Sequence, residues 1–213
     1  MYVPPRFRID DTAIDGFLKE NGFATLVSGG GAELMATHIP VEVARGDGGT
    51  RIFTGHLSKA NPQWRQLQET PDALLIFLGP HAYISPTWYD QPNVPTWNYQ
   101  AVHVTGSVRM LPAGEELTDA VRELAERYEP PSQPAPRFDL DAMPAEVRAA
   151  ELKGIVGFEL RATRVEASFK LSQNRDEADY ARIIRELEAR GDDASREVAK
   201  AMRLLRPGVA PAP

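Results

Sequence analysis

Ile14, Phe17 and Leu18 recur at the i, i+3, i+4 spacing of one helical face, which predicts an amphipathic helix over about residues 11–21. Asp10 or Asp11 can cap its start, and Asn21-Gly22 ends it. The period then changes. Apolar stretches at 23–27, 33–43, 51–55 and 73–78 are bounded by Gly29-Gly30-Gly31, by Gly46-Asp47-Gly48-Gly49 and by a short helix. A fifth strand is expected at 101–110, where Val102, Val104, Gly106 and Val108 alternate with polar residues. Residues 115–128 return to the helical period, with Leu117, Ala120, Val121, Leu124 and Tyr128 in register. Four prolines make 129–136 an extended loop, and Pro144 suits the first turn of another short helix. The β-branched, alternating run 154–170 predicts a long last strand, and the chain is then helical to about 205 with a break at Gly191-Asp192-Asp193.

Six short strands separated by turn chemistry suit an antiparallel barrel with peripheral helices, an α+β fold that is mainly β. The division expected is a barrel domain over 1–174 and a helical extension with a proline-rich tail over 175–213. From Arg175 to Arg206 the charges balance, eight of each sign, which predicts a solvated or partner-facing helical pair.

Composition narrows the chemistry. The absence of cysteine removes disulfides, thiolate catalysis and Cys-based metal sites. A formal net charge of −6 disfavours a broad nucleic-acid footprint, which would need clustered Lys and Arg. Neither a signal core nor a membrane-length apolar run is found, so a cytoplasmic location without membrane association is expected.

All four histidines and all three tryptophans fall between His38 and His103. One dense string there runs from Phe53-Thr54 through Ser58-Lys59-Ala60-Asn61-Pro62 to Trp64. Asn61-Pro62 reads as a helix entry, where free N–H groups and the dipole favour an anion beside Ser58 and Lys59. The string is a phosphate cradle or an ordinary capped helix. It is not a P-loop, since the Gly-Lys-[Ser/Thr] ending is absent. In Trp97-Asn98-Tyr99-Gln100 the side chains would alternate, Trp97 and Tyr99 on one face and Asn98 and Gln100 on the other. They would wall a heteroaromatic ring or plug a barrel end. His38, His56, His81 and His103 lack the spacing of a helical metal motif, so structural or ligand-contacting roles are expected over metal binding. Ser58, Ser85 and Ser172 lie in no nucleophile elbow.

Six strings in order resemble the PaiB family, known as FMN-binding negative transcriptional regulators or protease synthase and sporulation regulators. They are Met1-Tyr-Val-Pro-Pro5, Ala36-Thr-His-Ile-Pro40, His56-Leu-Ser-Lys-Ala-Asn-Pro-Gln-Trp64, Gly79-Pro-His-Ala-Tyr-Ile-Ser-Pro86, Val94-Pro-Thr-Trp-Asn-Tyr99 and Phe169-Lys-Leu-Ser-Gln-Asn174. The resemblance implies the FMN-binding split barrel, a six-stranded Greek-key barrel shared with pyridoxamine phosphate oxidases, usually a homodimer with flavins at the subunit interface. It implies FMN contacts at Phe53, Thr54, Ser58, Lys59 and Asn61, and at Thr37 and His38 beside Ala36 on the strand lining the ring. Asn98, Tyr99 and Gln100, next to Trp97, would come from the following strand pair, and Lys170 and Gln173 from the C-terminal strand. The oxidases' arginine-rich phosphate set is thin here, with one lysine and no adjacent arginine. The function implied is a flavin-binding homodimer with a regulatory role, acting through a protein partner or bound ligand and not by direct operator contact. The alternatives are an FMN-dependent oxidoreductase and a haem-binding or haem-degrading split barrel.

Overall fold

The computed structural model describes residues 1–29, 33–129 and 138–209. Part of the glycine turn at 29–31, nearly all of the proline loop at 129–136 and the last residues of the tail lie outside the described residues. Six strands, β1 (Phe23–Gly29), β2 (Leu34–Arg45), β3 (Arg51–Ser58), β4 (Asp72–Ile84), β5 (Thr96–Met110) and β6 (Ile155–Lys170), close into a barrel in the order β1-β2-β3-β6-β5-β4. The registers are antiparallel: Phe23 faces Pro40 on β2, Thr25 faces Ile76 on β4, Val41 faces Gly55, and Gly55 also faces Phe158 on β6. Helices α1 (Asp11–Glu20), α2 (Gln63–Glu69), α3 (Glu115–Tyr128), α4 (Ala145–Lys153), α5 (Glu177–Ala189) and α6 (Asp193–Leu205) complete the described elements.

Several strands run longer than their apolar stretches suggest. β4 continues through Gly79-Pro80, which reads as a turn, to Ile84, and β5 starts at Thr96, not near 101. Pro80 lies beyond the Ala73–Ile76 stretch paired to β1, so its missing N–H takes nothing from that ladder. Helix starts follow their caps closely. Asp10 accepts from the Ala13 N–H at 2.8 Å, and Asp176 and Asp192 accept from Asp179 and Ser195 at 2.9 and 2.8 Å.

Chain contacts divide the protein into two compact units. One comprises Leu18–Phe77 and His103–Val165. Its core is built by alternation along the strands: Leu26, Val41, Phe53, Leu75, Phe77, Val104, Phe158 and Leu160 are buried. Gly106 sits where β5 passes close to β6, because a Cβ there would lie 2.9 Å from the Arg161 carbonyl carbon and closer still to its oxygen. Arg127 near the end of α3 donates to the carbonyls of Leu18 and Lys19 at the end of α1 and pairs with Glu42 at 3.0 Å.

The other unit comprises Met1–Phe17, Leu78–Val102 and Glu166–Pro213. Here α5 and α6, expected to be a solvated or partner-facing pair, bury one face within the unit. Tyr180, Ile183, Leu187, Val198 and Met202 are fully buried, each contributing about 1.5–3 kcal/mol by leaving water. The balanced charges sit on the remaining faces, for example the Arg203–Glu188 pair at 2.9 Å. Net charge averages over a helix surface, whereas the i, i+3, i+7 stripe decides what is buried.

Candidate functional site

In the unit that holds β1 to β3, a polar network joins α2 to the sheet. Gln63 is completely buried, and its Nε2 donates to Leu26 O and Ser28 Oγ at 3.1 Å and to Met35 O at 3.3 Å. Its Oε1 accepts from Thr37 Oγ1 at 2.5 Å, and Thr37 in turn accepts from Asn61 Nδ2 at 2.9 Å. Asn61 Oδ1 accepts from the Gln63 N–H at 3.0 Å, which is the cap expected at this helix entry. Thr37 and Asn61 therefore spend their hydrogen-bonding capacity on protein groups. Phe53 is fully buried, its ring 5.6 Å from that of Phe77. Thr54, the next residue on β3, is half-buried. His38 is exposed, bonded to Thr25 at 2.9 Å and stacked on Phe23 at 6.3 Å. Ser58 and Lys59 are exposed; the Lys59 N–H donates to Gly154 O, and its carbonyl accepts from Trp64.

In the unit built around α5 and α6, three of the expected residues meet at one place. Asn98, Tyr99 and Lys170 line a cavity of about 350 Å³. Asn98 is buried and exchanges hydrogen bonds with Ser172, Nδ2 donating to Oγ at 3.0 Å and Oγ donating to Oδ1 at 3.1 Å. Those bonds hold Ser172 in the left-handed region, at φ 62°, a conformation that costs a residue with a Cβ about 1–2 kcal/mol. The turn folds the chain back, with Arg175 N–H donating to Ser172 O at 3.0 Å. Lys170 and Arg175 thereby face the same cavity from the two sides of one turn. Lys170 donates to Thr96, and burial, reinforced by Arg175 and then Arg6, holds its ammonium below the ordinary lysine range. Gln173 is occupied locally: its Oε1 accepts from Leu171 N–H at 2.7 Å, and its Nε2 donates to Phe169 O.

The sequence pattern did not single out Arg6, Tyr89 or Arg175, which line the same cavity. Pro4 and Pro5 start a single 3₁₀ turn that ends at buried Phe7, and Arg6 projects from it. The Arg175 guanidinium lies 4.3 Å from the Tyr89 ring centroid. The Tyr89 Oη is buried without a hydrogen-bond partner. No acidic residue lines the cavity. An orphaned phenol among three uncompensated cations is the donor set of an anion pocket. One signal was available: the tract from Phe169 to Arg175 has two cations five residues apart around a Ser-Gln-Asn turn.

Trp97 is half-exposed and packs on His81 at 6.2 Å and on Tyr83 at 6.0 Å. Gln100 is half-buried on β5. Among the described residues, no three His, Asp or Glu side chains gather as a metal set. Burial alone holds the His56 imidazole below its ordinary value near 6.5. The unfolded chain takes this proton at about pH 6.5 while the folded chain resists it. Stability from His56 is thus fully present above 6.5 and is lost as pH falls from there toward the lowered folded value. His56→Gln should flatten the decline in urea midpoint between about pH 7.5 and 5.5; an unchanged slope would count against a buried neutral imidazole.

A family model described as "Putative FMN-binding domain" matches residues 1–164. The chain belongs to this FMN-binding family. Within the PaiB group, "Protease synthase and sporulation protein PAI 2" of Bacillus subtilis (strain 168) is 39% identical over 203 residues, 95% of this chain and 96% of that protein. Among solved structures, the flavocytochrome Anf3 from Azotobacter vinelandii superposes with a TM-score of 0.58 at 17% identity, over 82% of this chain and 74% of that one. A conserved hypothetical protein, Rv2991 from Mycobacterium tuberculosis, gives 0.57 at 12% identity, over 82% and 92%. Identities this low speak to fold alone, and the fold of this PaiB-family chain is the split barrel. No described helix of this family member is long and apolar enough to cross a membrane.

Proposed function

We propose that this chain is a homodimeric, FMN-binding regulator that acts through a protein partner. The observation that carries the flavin reading is the cavity where Asn98, Tyr99 and Lys170 meet, lined by cations and by an unpartnered phenol. Those residues suit an anionic cofactor, because three cations meet in a cavity whose lining holds no carboxylate. FMN, when bound, supplies redox chemistry of its own. The chain's residues would bind it, orient it and shield it from water. The net charge of −6 supports regulation through a protein partner over operator contact. The second copy is supported by large apolar side chains left in solvent, among them Leu78, Val94 and Trp97 in one unit and Phe23 and Leu34 in the other.

The expected result is a shift of the flavin visible spectrum and quenching of its fluorescence when the protein is titrated with micromolar FMN. The species that binds should sediment as a dimer. A spectrum that stays that of free FMN at saturating protein ends the flavin reading, and a monomer at every concentration ends the dimer.

A further inference from the structure

We infer that Arg6, Lys170 and Arg175 form a phosphate subsite. The flavin reading supplies only the carrier of that phosphate; the anion site stands on its own geometry. Two cations flank one turn, Lys170 before Ser172 and Arg175 after it, and the turn is locked in a left-handed conformation by buried Asn98. A strained backbone persists where its surroundings over-determine it, and here the surroundings hold two positive groups against one cavity. The third cation, Arg6, comes from the other end of the chain on a proline-stiffened turn. Among the described residues none of the three has a carboxylate partner, unlike Arg109, Arg122, Arg182 and Arg203, which are all ion-paired. Cations are ordinarily compensated when they crowd a half-buried site, so the missing negative charge belongs to a ligand.

Size and lining choose the kind of anion. About 350 Å³ is at the lower end for ligand pockets, enough for a phosphate and the start of its carrier. Guanidinium, ammonium and hydroxyl groups converge on one part of the cavity, and Tyr2, Pro4, Phe7 and Val94 supply apolar wall for the carrier. Arg6 and Arg175 can each present parallel N–H donors to a tetrahedral oxyanion, and Lys170 adds a point charge. A phosphomonoester, two-fold charged near neutrality, fits three cations better than a carboxylate does. The source is either the FMN phosphate or free inorganic phosphate.

The test uses the whole chain with three probes: inorganic phosphate, FMN and riboflavin, at constant ionic strength. FMN should bind at least about tenfold tighter than riboflavin, and phosphate should raise the thermal midpoint and compete with FMN. Arg6→Gln and Lys170→Gln should each weaken FMN and phosphate about tenfold and leave riboflavin unchanged. Lys200→Gln, which removes an exposed α6 charge, should change nothing. Equal affinity for FMN and riboflavin with no competition by phosphate overturns the subsite and leaves the flavin reading intact. Phosphate binding that is lost in Arg6→Gln while neither flavin binds upholds the subsite and removes the flavin reading. Circular dichroism screens each variant for folding. Arg6 is exposed, so that variant keeps the test decisive if Lys170→Gln fails to fold.

Discussion

Replacing Gln63 with alanine should cost the fold about 4 kcal/mol, because one truncation removes several hydrogen bonds and leaves a cavity at once. The carbonyls of Leu26 and Met35 and the hydroxyl of Ser28 lose a donor, and Thr37 Oγ1 loses its acceptor. Ser28 keeps its bond to Gln66 and Thr37 the one from Asn61, so each lost bond costs about 0.5–1.5 kcal/mol, and a cavity term adds to the sum. Part of that cost is recovered where water reaches half-buried Thr37 and Met35. Gln63→Met, which keeps the volume, should recover the packing and none of the bonds. Urea unfolding at neutral pH measures both, and a loss below about 1 kcal/mol for the alanine variant would contradict this account. The result matters for function. Thr37→Ala and Asn61→Ala would act through the same network, so a weakened ligand affinity in either is not evidence of direct contact unless stability is measured too.

Gly106→Ala should be the most disruptive single methyl in the barrel. The added carbon would meet the carbonyl of Arg161 and the side chain of Leu160, and the carbonyl belongs to backbone that cannot rotate away. Relief requires β5 and β6 to separate locally, with lost hydrogen bonds as well as overpacking, at about 3 kcal/mol or more. Gly16, with open space around its Cβ position, is the matched control: Gly16→Ala in α1 should be neutral or stabilising by up to about 1 kcal/mol. Thermal midpoints of the two variants decide the matter; a Gly106→Ala protein melting with the parent would show that the strands do not approach so closely.

The barrel was legible because its strands carry local signals. The alternation of Val102, Val104, Gly106 and Val108 and the glycine-rich turn at 46–49 report on backbone geometry within a few residues. Strand ends were less legible. Trp97-Asn98-Tyr99-Gln100 is continuous with β5, but Pro95 and the amides look like loop chemistry until the burial of Asn98 is seen. The C-terminal helices misled in the opposite direction, since charge balance conceals a mainly apolar inner stripe. For the cavity, the string from Phe169 to Asn174 pointed to Lys170 through family resemblance alone. Arg6 and Tyr89 could not be found from spacing, because they reach Lys170 only through long-range packing.

That separation has a bearing on how the protein folds. Arg6 lies ahead of the first strand, while Lys170 closes the last strand and Arg175 follows it. A fragment that lacks either stretch cannot assemble the pocket. Whatever binds there ties the two stretches together, closing a loop of roughly 165 residues whose entropy the unfolded state would regain.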